Sequence, residues 1–208
     1  ARINRLRGLL AEYGFSAPNG RYPGQATMYA LLEDAENGLP DLARRLLKEC
    51  WDSIETLSKQ ILSYDRQLSE LAKQSAAAKR LMTIPGIGEI TATGLVATIC
   101  DGKQYDNGRQ LAAWLGLVPR QYSTGGKNRL GRISKQGDSY LRTLLIHGAR
   151  AVIRTCKDKE DRLSLWVKSL LARVGFAKTA VALASKNARI AWAILTKETE
   201  FKTEIVTS

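Results

Sequence analysis

The sequence predicts a mainly α-helical protein in which one long coiled-coil helix precedes a small helical domain. Apolar residues recur at helical spacing along much of the 208-residue chain. One stretch keeps a strict heptad repeat, and no long segment alternates apolar and polar residues as a half-buried strand does. A glycine-rich, basic segment without helical periodicity interrupts the second half of the chain, and we interpret it as a loop or hairpin.

Composition indicates a soluble globular protein. Hydrophobic residues make up 44% and charged residues 25% of the chain, which argues against disorder, collagen and a membrane protein. Three widely spaced cysteines and one histidine match neither a disulfide framework nor a zinc site, so no metal or other cofactor is expected in the chain. The first residues show no signal peptide and the isolated cysteines fit a reducing compartment, so we expect a cytoplasmic protein with no membrane partner.

The charge of the chain points to a polyanionic partner. Lys and Arg number 32 and Asp and Glu 20, which gives a net charge of +12. Residues 32–72 contain nine acidic and five basic side chains, whereas residues 120–154 contain eight basic side chains and one acidic one. The first stretch is therefore predicted to be scaffold and the second a contact surface, with nucleic acid as the commonest partner of such a surface.

The N-terminal elements precede the long helix. Residues 1 to about 12 are predicted to be helical, and residues 16–24 to form a loop, because two prolines and two glycines cannot continue a helix. A short helix is expected at about 25–34. Asp41 then lies in the first turn of a new helix, where its charge complements the helix dipole.

The heptad stretch predicts a coiled coil. Its apolar positions alternate three and four residues apart: Leu47, Cys50, Ile54, Leu57, Ile61, Tyr64, Leu68 and Leu71. A single helix from Asp41 to Lys79 would span roughly 58 Å at 1.5 Å per residue. Its apolar seam needs a partner, and we expect another copy of the chain in a homo-oligomer (dimer or tetramer). The alternative is a second helix of the same chain. We assign residues 1–80 to this helical linker and coiled coil.

A turn after the coiled coil resembles the helix-hairpin-helix element of many DNA-binding proteins. Pro85-Gly-Ile-Gly88 separates a short apolar helix end from a second helix at about 89–99. Gly86 and Gly88 allow a positive φ and close backbone approach, and the free N–H groups at the start of that helix can hold a phosphate. The alternative is a tight helix connection that touches no nucleic acid.

Residues 81–197 are predicted to form one domain, and residues 198–208 a loose tail. Helices are expected at 109–116, from a cap at Asp138 or Ser139 to about 154, and at 162–174 and 179–196. The domain's candidate nucleic-acid contacts are basic residues or glycines: Gly86, Gly88, Arg120, Gly125, Gly126, Lys127, Arg129, Arg132, Lys135, Arg142, Lys186 and Arg189.

A string of motifs carries a family resemblance. In order, they are Ile84-Pro-Gly-Ile-Gly, Leu111-Ala-Ala-Trp-Leu-Gly-Leu-Val-Pro-Arg, Ser123-Thr-Gly-Gly-Lys, Arg132-Ile-Ser-Lys-Gln-Gly-Asp and Leu141-Arg-Thr-Leu-Leu-Ile-His-Gly-Ala-Arg. Together they resemble the C-terminal half of the IS110 insertion-sequence transposases, with their IS1111 branch and the related pilin-gene invertase.

The resemblance implies a DNA recombinase guided by a structured RNA. It implies a nucleophilic serine at Ser123, with Thr124 as the rival because the motif often places the hydroxyl directly before glycine. It also implies an N-terminal RuvC-like domain whose four carboxylates bind Mg²⁺. We expect that domain to be missing from this sequence, and the chain alone to be inactive.

The residues themselves agree with part of this picture. Five basic side chains lie within twelve residues of Ser123, where they would stabilise the charge of a phosphodiester in its transition state. Tyr122 is a further candidate nucleophile, but the Arg/His/Arg set of tyrosine recombinases is not evident. The alternative function is a non-catalytic module that binds nucleic acid and oligomerises.

Overall fold

The computed structural model describes residues 2–16, 25–124 and 127–202, and the side chains of residues 25, 26, 123, 124, 127 and 128 lie outside that description. Within these ranges the chain forms nine helices and one two-stranded sheet, which confirms a mainly helical fold. In chain order the elements are α1 (Arg2–Glu12), α2 (Gln25–Glu33), α3 (Asp41–Gln74), α4 (Ala76–Met82), α5 (Glu89–Ile99), α6 (Gly108–Trp114), β1 (Pro119–Thr124), β2 (Lys127–Ile133), α7 (Ser139–Thr155), α8 (Arg162–Val174) and α9 (Phe176–Lys197).

The chain divides into two compact units, Ala1–Arg66 and Gln67–Ser208. The first unit packs α1, α2 and the first part of α3 around Trp51, which is 1% exposed. At the start of α3, the Arg44 guanidinium donates to the carbonyl oxygen of Leu32 (2.8 Å) and to Oδ1 of Asn37 (2.9 Å). These bonds attach the C-terminal end of α2 to α3. No helix of the described residues has the length and apolar character that crossing a bilayer requires.

The predicted coiled-coil seam divides into a buried and an exposed part. Leu47 and Ile54 are buried in the core of the first unit, so this part of the seam packs against other helices of the same chain. Further along α3 the seam turns outward, since Leu57, Ile61 and Tyr64 are 39%, 49% and 63% exposed. The alternative of an intramolecular partner thus describes the seam at Leu47 and Ile54, whereas the outer three residues are exposed among the described residues.

The long helix ends earlier than the pattern predicts. We expected one helix to Lys79, but α3 stops at Gln74 and a separate helix begins at Ala76. Between them Ser75 adopts an extended conformation (φ −83°, ψ 116°), and its hydroxyl accepts a hydrogen bond from the backbone N–H of Ala78. Ser75 is therefore the N-cap of α4. The heptad repeat would place its next apolar residue at position 75, four residues after Leu71, so the helix breaks where the apolar repeat itself ends.

The second unit packs its helices around one apolar core. Its buried residues include Ile84 and Ile87 of the turn at 83–88 and Leu95 of α5. The predicted bounds of α5 and α8 are confirmed, whereas α9 begins three residues earlier than expected, at Phe176. Asp138 caps α7 by accepting from the N–H groups of Tyr140 and Leu141, which decides between the two predicted caps.

The turn between α4 and α5 lies directly on α7. Gly86 has φ +88°, and a Cβ built on it would lie 2.7 Å from the carbonyl oxygen of Gly148. A Cβ on Gly148 would lie only 1.8 Å from the carbonyl oxygen of Gly86. On its other side, Nδ2 of Asn187 in α9 donates to the Pro85 carbonyl oxygen at 2.9 Å. Packing within the unit therefore requires glycine at both contact positions.

Part of the predicted tail packs on this unit. The backbone N–H of Phe201 donates to Oγ1 of Thr83 at 2.9 Å, and the Phe201 ring is half-buried against the core. Residues 203–208 lie outside the described residues.

Candidate nucleic-acid interface

The basic segment at 117–138 forms an antiparallel hairpin. The backbone of Gln121 pairs with Leu130, and that of Tyr122 with Arg129. Ser123 and Thr124 end β1, where their backbones pair with Asn128 and Lys127. The predicted contacts Gly125 and Gly126 lie outside the described residues, as do the side chains of Ser123, Thr124 and Lys127. Of the two structures considered for this segment, the hairpin is therefore the observed one.

The hairpin presents basic and apolar side chains to solvent. Arg120, Arg129, Arg132 and Lys135 are exposed, and residues 117–137 contain no acidic residue. Two large side chains are also exposed, with Tyr122 at 61% and Leu130 at 68%. A Cβ on Gly131 would lie 3.3 Å from the Tyr122 ring, so the ring lies beside the opposite strand at a position that has no side chain. The sheet surface thus combines positive charge with groups that can pack on sugars or bases.

The base of the hairpin is fixed to the helical core. The N–H of Ser134 donates to the Val118 carbonyl oxygen at 2.8 Å, and the N–H of Lys135 to that of Gly116 at 3.2 Å. A Cβ on Gly137 (φ +71°) would lie 1.8 Å from the Trp114 carbonyl oxygen, so the two backbones are in direct contact. The end of the hairpin that adjoins the helices is therefore anchored, and this gives the exposed Arg and Lys side chains a defined position on the unit.

Two predicted contact residues also hold this base together. Nη1 of Arg142 donates to the carbonyl oxygens of Leu115 (3.1 Å) and Gln136 (3.0 Å), which connects α7 to the segments on both sides of the hairpin. Nη2 of Arg120 donates to the Ser134 carbonyl oxygen at 3.2 Å. Both guanidinium groups thus contribute hydrogen bonds to the protein itself. Arg120 is nevertheless exposed, whereas Arg142 is half-buried.

The two glycines predicted to approach phosphate have different surroundings. Gly86 is half-buried and faces α7, so its lack of a side chain serves the contact with Gly148. Gly88 is exposed, has no heavy atom within 4 Å of a Cβ position, and is the N-cap of α5 without a side-chain cap. Of the pair, Gly88 is the one whose surroundings leave space for a ligand.

The remaining predicted contacts lie on α9, away from the hairpin in sequence. Nζ of Lys186 lies 4.2 Å from the ring centroid of Trp166 in α8, and Arg189 is exposed one turn further on. Arg109, at the start of α6, lines the same cleft as Arg189. Sequence reasoning missed Arg109 and Trp166, since 80 and 23 residues separate them from Arg189 and no local pattern connects them.

The described residues do not fit a magnesium site. Among them, no group of three or more His, Cys, Asp or Glu side chains is placed to hold a metal ion. Carboxylates are the side chains that supply Mg²⁺ with oxygen ligands in proteins. We therefore assign no chemical step at the hairpin to a metal held by these residues.

Residues 78–164 match the family described as "Transposase IS116/IS110/IS902 family". Over 203 residues the chain is 47% identical to a "Probable family 20 transposase" of Pseudomonas aeruginosa, which covers 97% of this chain and 60% of that protein. It is 41% identical over 202 residues to the "Transposase for insertion sequence element IS1111A" of Coxiella burnetii, covering 97% of this chain and 56% of the relative.

A more distant similarity concerns inversion of a gene. Over 99 residues, 45% of this chain and 31% of the relative, the chain is 32% identical to the "Pilin gene-inverting protein" of Moraxella lacunata. The chain spans no more than 60% of the length of these three relatives. The motifs quoted above between Ile84 and Arg150 all fall within the matched residues 78–164. The chain therefore carries a transposase domain of the IS116/IS110/IS902 family, at residues 78–164.

Proposed function

We propose that this chain is the DNA-joining part of an insertion-sequence transposase, with Ser123 as the nucleophile. The observation that carries the proposal is the hairpin, which combines an acid-free, basic surface with an anchored base and has Ser123 at the end of β1. The family match includes the whole hairpin. Transposases recombine DNA, so the partner that the proposal assigns to this surface is DNA.

The proposed step is an exchange of ester bonds at phosphorus. The Ser123 hydroxyl loses its proton to a base, and its oxygen attacks a phosphodiester of one DNA strand. The bond from phosphorus to the 3′ oxygen breaks, and that oxygen takes up a proton and leaves as a 3′-hydroxyl. The product is a 5′-phosphoserine linkage, which conserves the energy of the ester for rejoining. The hairpin's arginines stabilise the charge that grows on the phosphate oxygens.

The proposal includes two partners that the resemblance implies. A structured guide RNA pairs with donor and target DNA and so selects the sites in the bacterial cytoplasm. A RuvC-like domain with four carboxylates holds Mg²⁺, which supplies Lewis-acid chemistry when bound. The hairpin supplies the nucleophile and the positive surface, two functions that neither the guide RNA nor the RuvC-like domain supplies in this proposal.

Mapping of a covalent adduct tests the proposal. The chain is combined with end-labelled duplex DNA, in one series alone and in another with the RuvC-like domain, guide RNA and Mg²⁺ supplied. A labelled band that resists denaturation identifies a covalent complex, and mass spectrometry of the digested protein identifies the attached residue. Attachment at Ser123 is expected. Attachment at Tyr122 or Thr124 would move the nucleophile, and tight binding without an adduct in the complete mixture would indicate a non-catalytic binding module.

The basic side chains of the hairpin predict a specific salt dependence of DNA binding. Each phosphate contact contributes about 0.9 to the negative slope of log K against log salt concentration. Replacing Arg129 and Arg132 together by alanine is expected to reduce that slope by about 2 and to weaken binding at low salt. Fluorescence anisotropy with a labelled duplex measures both quantities. Lys59→Ala and Lys48→Ala together are the control, because these exposed lysines of α3 remove equal charge from the acidic stretch. Equal slopes in the two double variants would contradict the assignment.

The exposed seam of α3 predicts self-association. We propose that Leu57, Ile61 and Tyr64 pack against the same seam of a second copy, since their heptad spacing is typical of a coiled coil. Ile61→Lys is expected to lower the association constant at least about 100-fold, because two apolar side chains worth about 1.5–3 kcal/mol each lose their burial. Sedimentation equilibrium measures the change.

Leu62→Lys is the matched control for the seam. Leu62 is adjacent to Ile61 and 57% exposed, but lies outside the heptad positions. Its replacement is expected to leave the association constant unchanged. A monomeric wild-type chain at all concentrations, or equal effects of the two substitutions, would contradict self-association through this seam.

A further inference from the structure

Helix α9 gathers positive side chains around an indole ring. Nζ of Lys186 lies 4.2 Å from the centroid of the Trp166 ring, within the distance of a cation–π contact. Burial lowers the pKa of Lys186 below its usual value, and the positive charges of Arg189 and Arg162 lower it further. The fold thus holds like charges together at a partly desolvated place, an arrangement that an anion would stabilise.

Two clefts meet at Arg189. The first, of about 440 Å³, is lined by Trp166, Lys186, Arg189, Ile190 and Ala193. The second, of about 380 Å³, is lined by Asn107, Gly108, Arg109, Arg189, Trp192 and Ala193. Arg189 and Ala193 line both clefts, which are therefore adjacent along α9, and we call the two clefts together the α9 groove. None of the described residues that line it is acidic.

The contact between α6 and α9 fixes the position of Arg109, a further basic residue of the groove. A Cβ on Gly108 would lie 2.9 Å from both the Cα and the carbonyl oxygen of Arg189, so only glycine allows the two backbones to come this close. The neighbouring Arg109 is thereby placed beside Arg189 on the groove wall. The Nε of Arg189 donates to the Ser185 carbonyl oxygen at 3.3 Å, which orients its guanidinium.

Positive charge beside an indole wall is typical of sites for nucleic-acid strands. Guanidinium and ammonium groups neutralise phosphates, while aromatic and apolar walls contact sugars and bases. No hairpin residue lines the groove. An inorganic anion alone would leave the apolar wall of Ile190 and Ala193 without a partner.

We propose that the α9 groove is a phosphodiester-binding site for a nucleic-acid strand, separate from the hairpin. Lys186, Arg189 and Arg109 contact phosphates, and Trp166 is a positioning residue that fixes Lys186. This inference rests on the proposed function in one respect, since the transposase assignment makes nucleic acid the ligand. The chain would then hold nucleic acid at two places at once, as the joining of two segments requires.

Binding measurements with matched double variants test the groove. The 208-residue chain is titrated into three labelled 20-mers, which are oligo(dT), single-stranded RNA and duplex DNA. Lys186→Ala with Arg189→Ala is compared with Arg173→Ala with Lys197→Ala, which removes the same charge from exposed positions on α8 and α9. The groove variant is expected to lose about tenfold in affinity or more, and its salt slope to fall by about 1.4 on single strands or 1.8 on duplex. The oligonucleotide with the largest loss identifies the strand type.

Two further readouts separate binding from folding. In the wild-type chain, the oligonucleotide is expected to protect Lys186 from acetylation at least about fivefold, as measured by mass spectrometry, with Lys178 as an exposed reference on the same helix. Trp166→Leu keeps the charge of the groove but is expected to weaken oligonucleotide binding severalfold. Trp166→Phe is expected to retain most of the wild-type affinity, because an aromatic face remains beside Lys186.

The outcomes distinguish the groove from the proposed function. If the groove variant binds like its control, or if Lys186 is acetylated equally with and without oligonucleotide, the groove assignment is wrong while the hairpin assignment stands. If the groove variant weakens binding but the Arg129/Arg132 variant does not, the groove stands and the hairpin assignment is wrong. A wild-type chain that binds none of the three oligonucleotides would overturn both.

Discussion

Replacing Ser123 by alanine is expected to abolish the covalent protein–DNA adduct while leaving DNA binding within about twofold of wild type. The alanine removes the oxygen that would form the bond to phosphorus. Without that oxygen the covalent bond at position 123 cannot form. The rate of adduct formation should therefore fall by at least about 10³-fold. Denaturing electrophoresis measures the adduct, and fluorescence anisotropy measures binding with the same duplex.

Three control variants assign the effect to one hydroxyl. Thr124→Ala tests the rival residue, Tyr122→Phe tests the phenol, and Ser134→Ala removes a hydroxyl at the base of the hairpin, where its oxygen is 3.5 Å from the Gln136 N–H. Each is expected to retain the adduct. Loss of the adduct in Thr124→Ala together with its retention in Ser123→Ala would assign the nucleophile to Thr124. Loss in all four variants would indicate that the hairpin's conformation, and no particular oxygen, had been changed.

Local sequence signals predicted the helices of the second unit well. The bounds of α8 follow from its flanking residues, since Asp161 accepts from the N–H groups of Leu163 and Ser164 and Gly175 ends the helix with φ +79°. A side chain that caps a helix and a glycine that ends one act within four residues, so periodicity and capping suffice to place them.

Features that depend on distant contacts were not predictable in the same way. The heptad repeat marks an apolar seam, but whether another copy or the same chain covers it depends on α1 and α2, which bury Leu47 and Ile54. The charge of Arg142 predicts a phosphate contact, which stays a prediction, but it does not reveal that Nη1 also donates to two carbonyl oxygens at the hairpin base. The α9 groove combines α6, α8 and α9, and its residues form no sequence motif.

The contact between Gly148 and Gly86 predicts a large effect of a single substitution on stability. Gly148→Ala places a methyl group 1.8 Å from the Gly86 carbonyl oxygen and 2.8 Å from its carbonyl carbon. Both atoms belong to the backbone of the turn at 83–88, which Ile87 and the hydrogen bond from Asn187 to Pro85 hold from the other side. The turn must therefore move as a whole, and neighbouring side chains cannot rotate to relieve the overlap.

Opposing terms set the size of the effect. Alanine inside a helix gains up to about 1 kcal/mol over glycine. Overpacking against a fixed neighbour typically costs 1–3 kcal/mol and more where backbone must shift, so we take about 3 kcal/mol or more here. Gly148→Ala is thus expected to lower the free energy of unfolding by about 2 kcal/mol or more, and the Tm by about 5–10 °C. Urea titration and thermal denaturation followed by circular dichroism measure the two quantities.

Gly94→Ala provides the matched control, because the same substitution in α5 meets a different kind of neighbour. The atom nearest to its new Cβ is Cδ2 of Leu141, at 3.2 Å. This atom is the end of a flexible side chain, which can move away by a few tenths of an ångström. The helix-propensity gain and the small packing cost should nearly cancel, so stability is expected to change by less than about 1 kcal/mol. If both variants unfold at the same urea concentration, the turn and α7 are not in backbone contact.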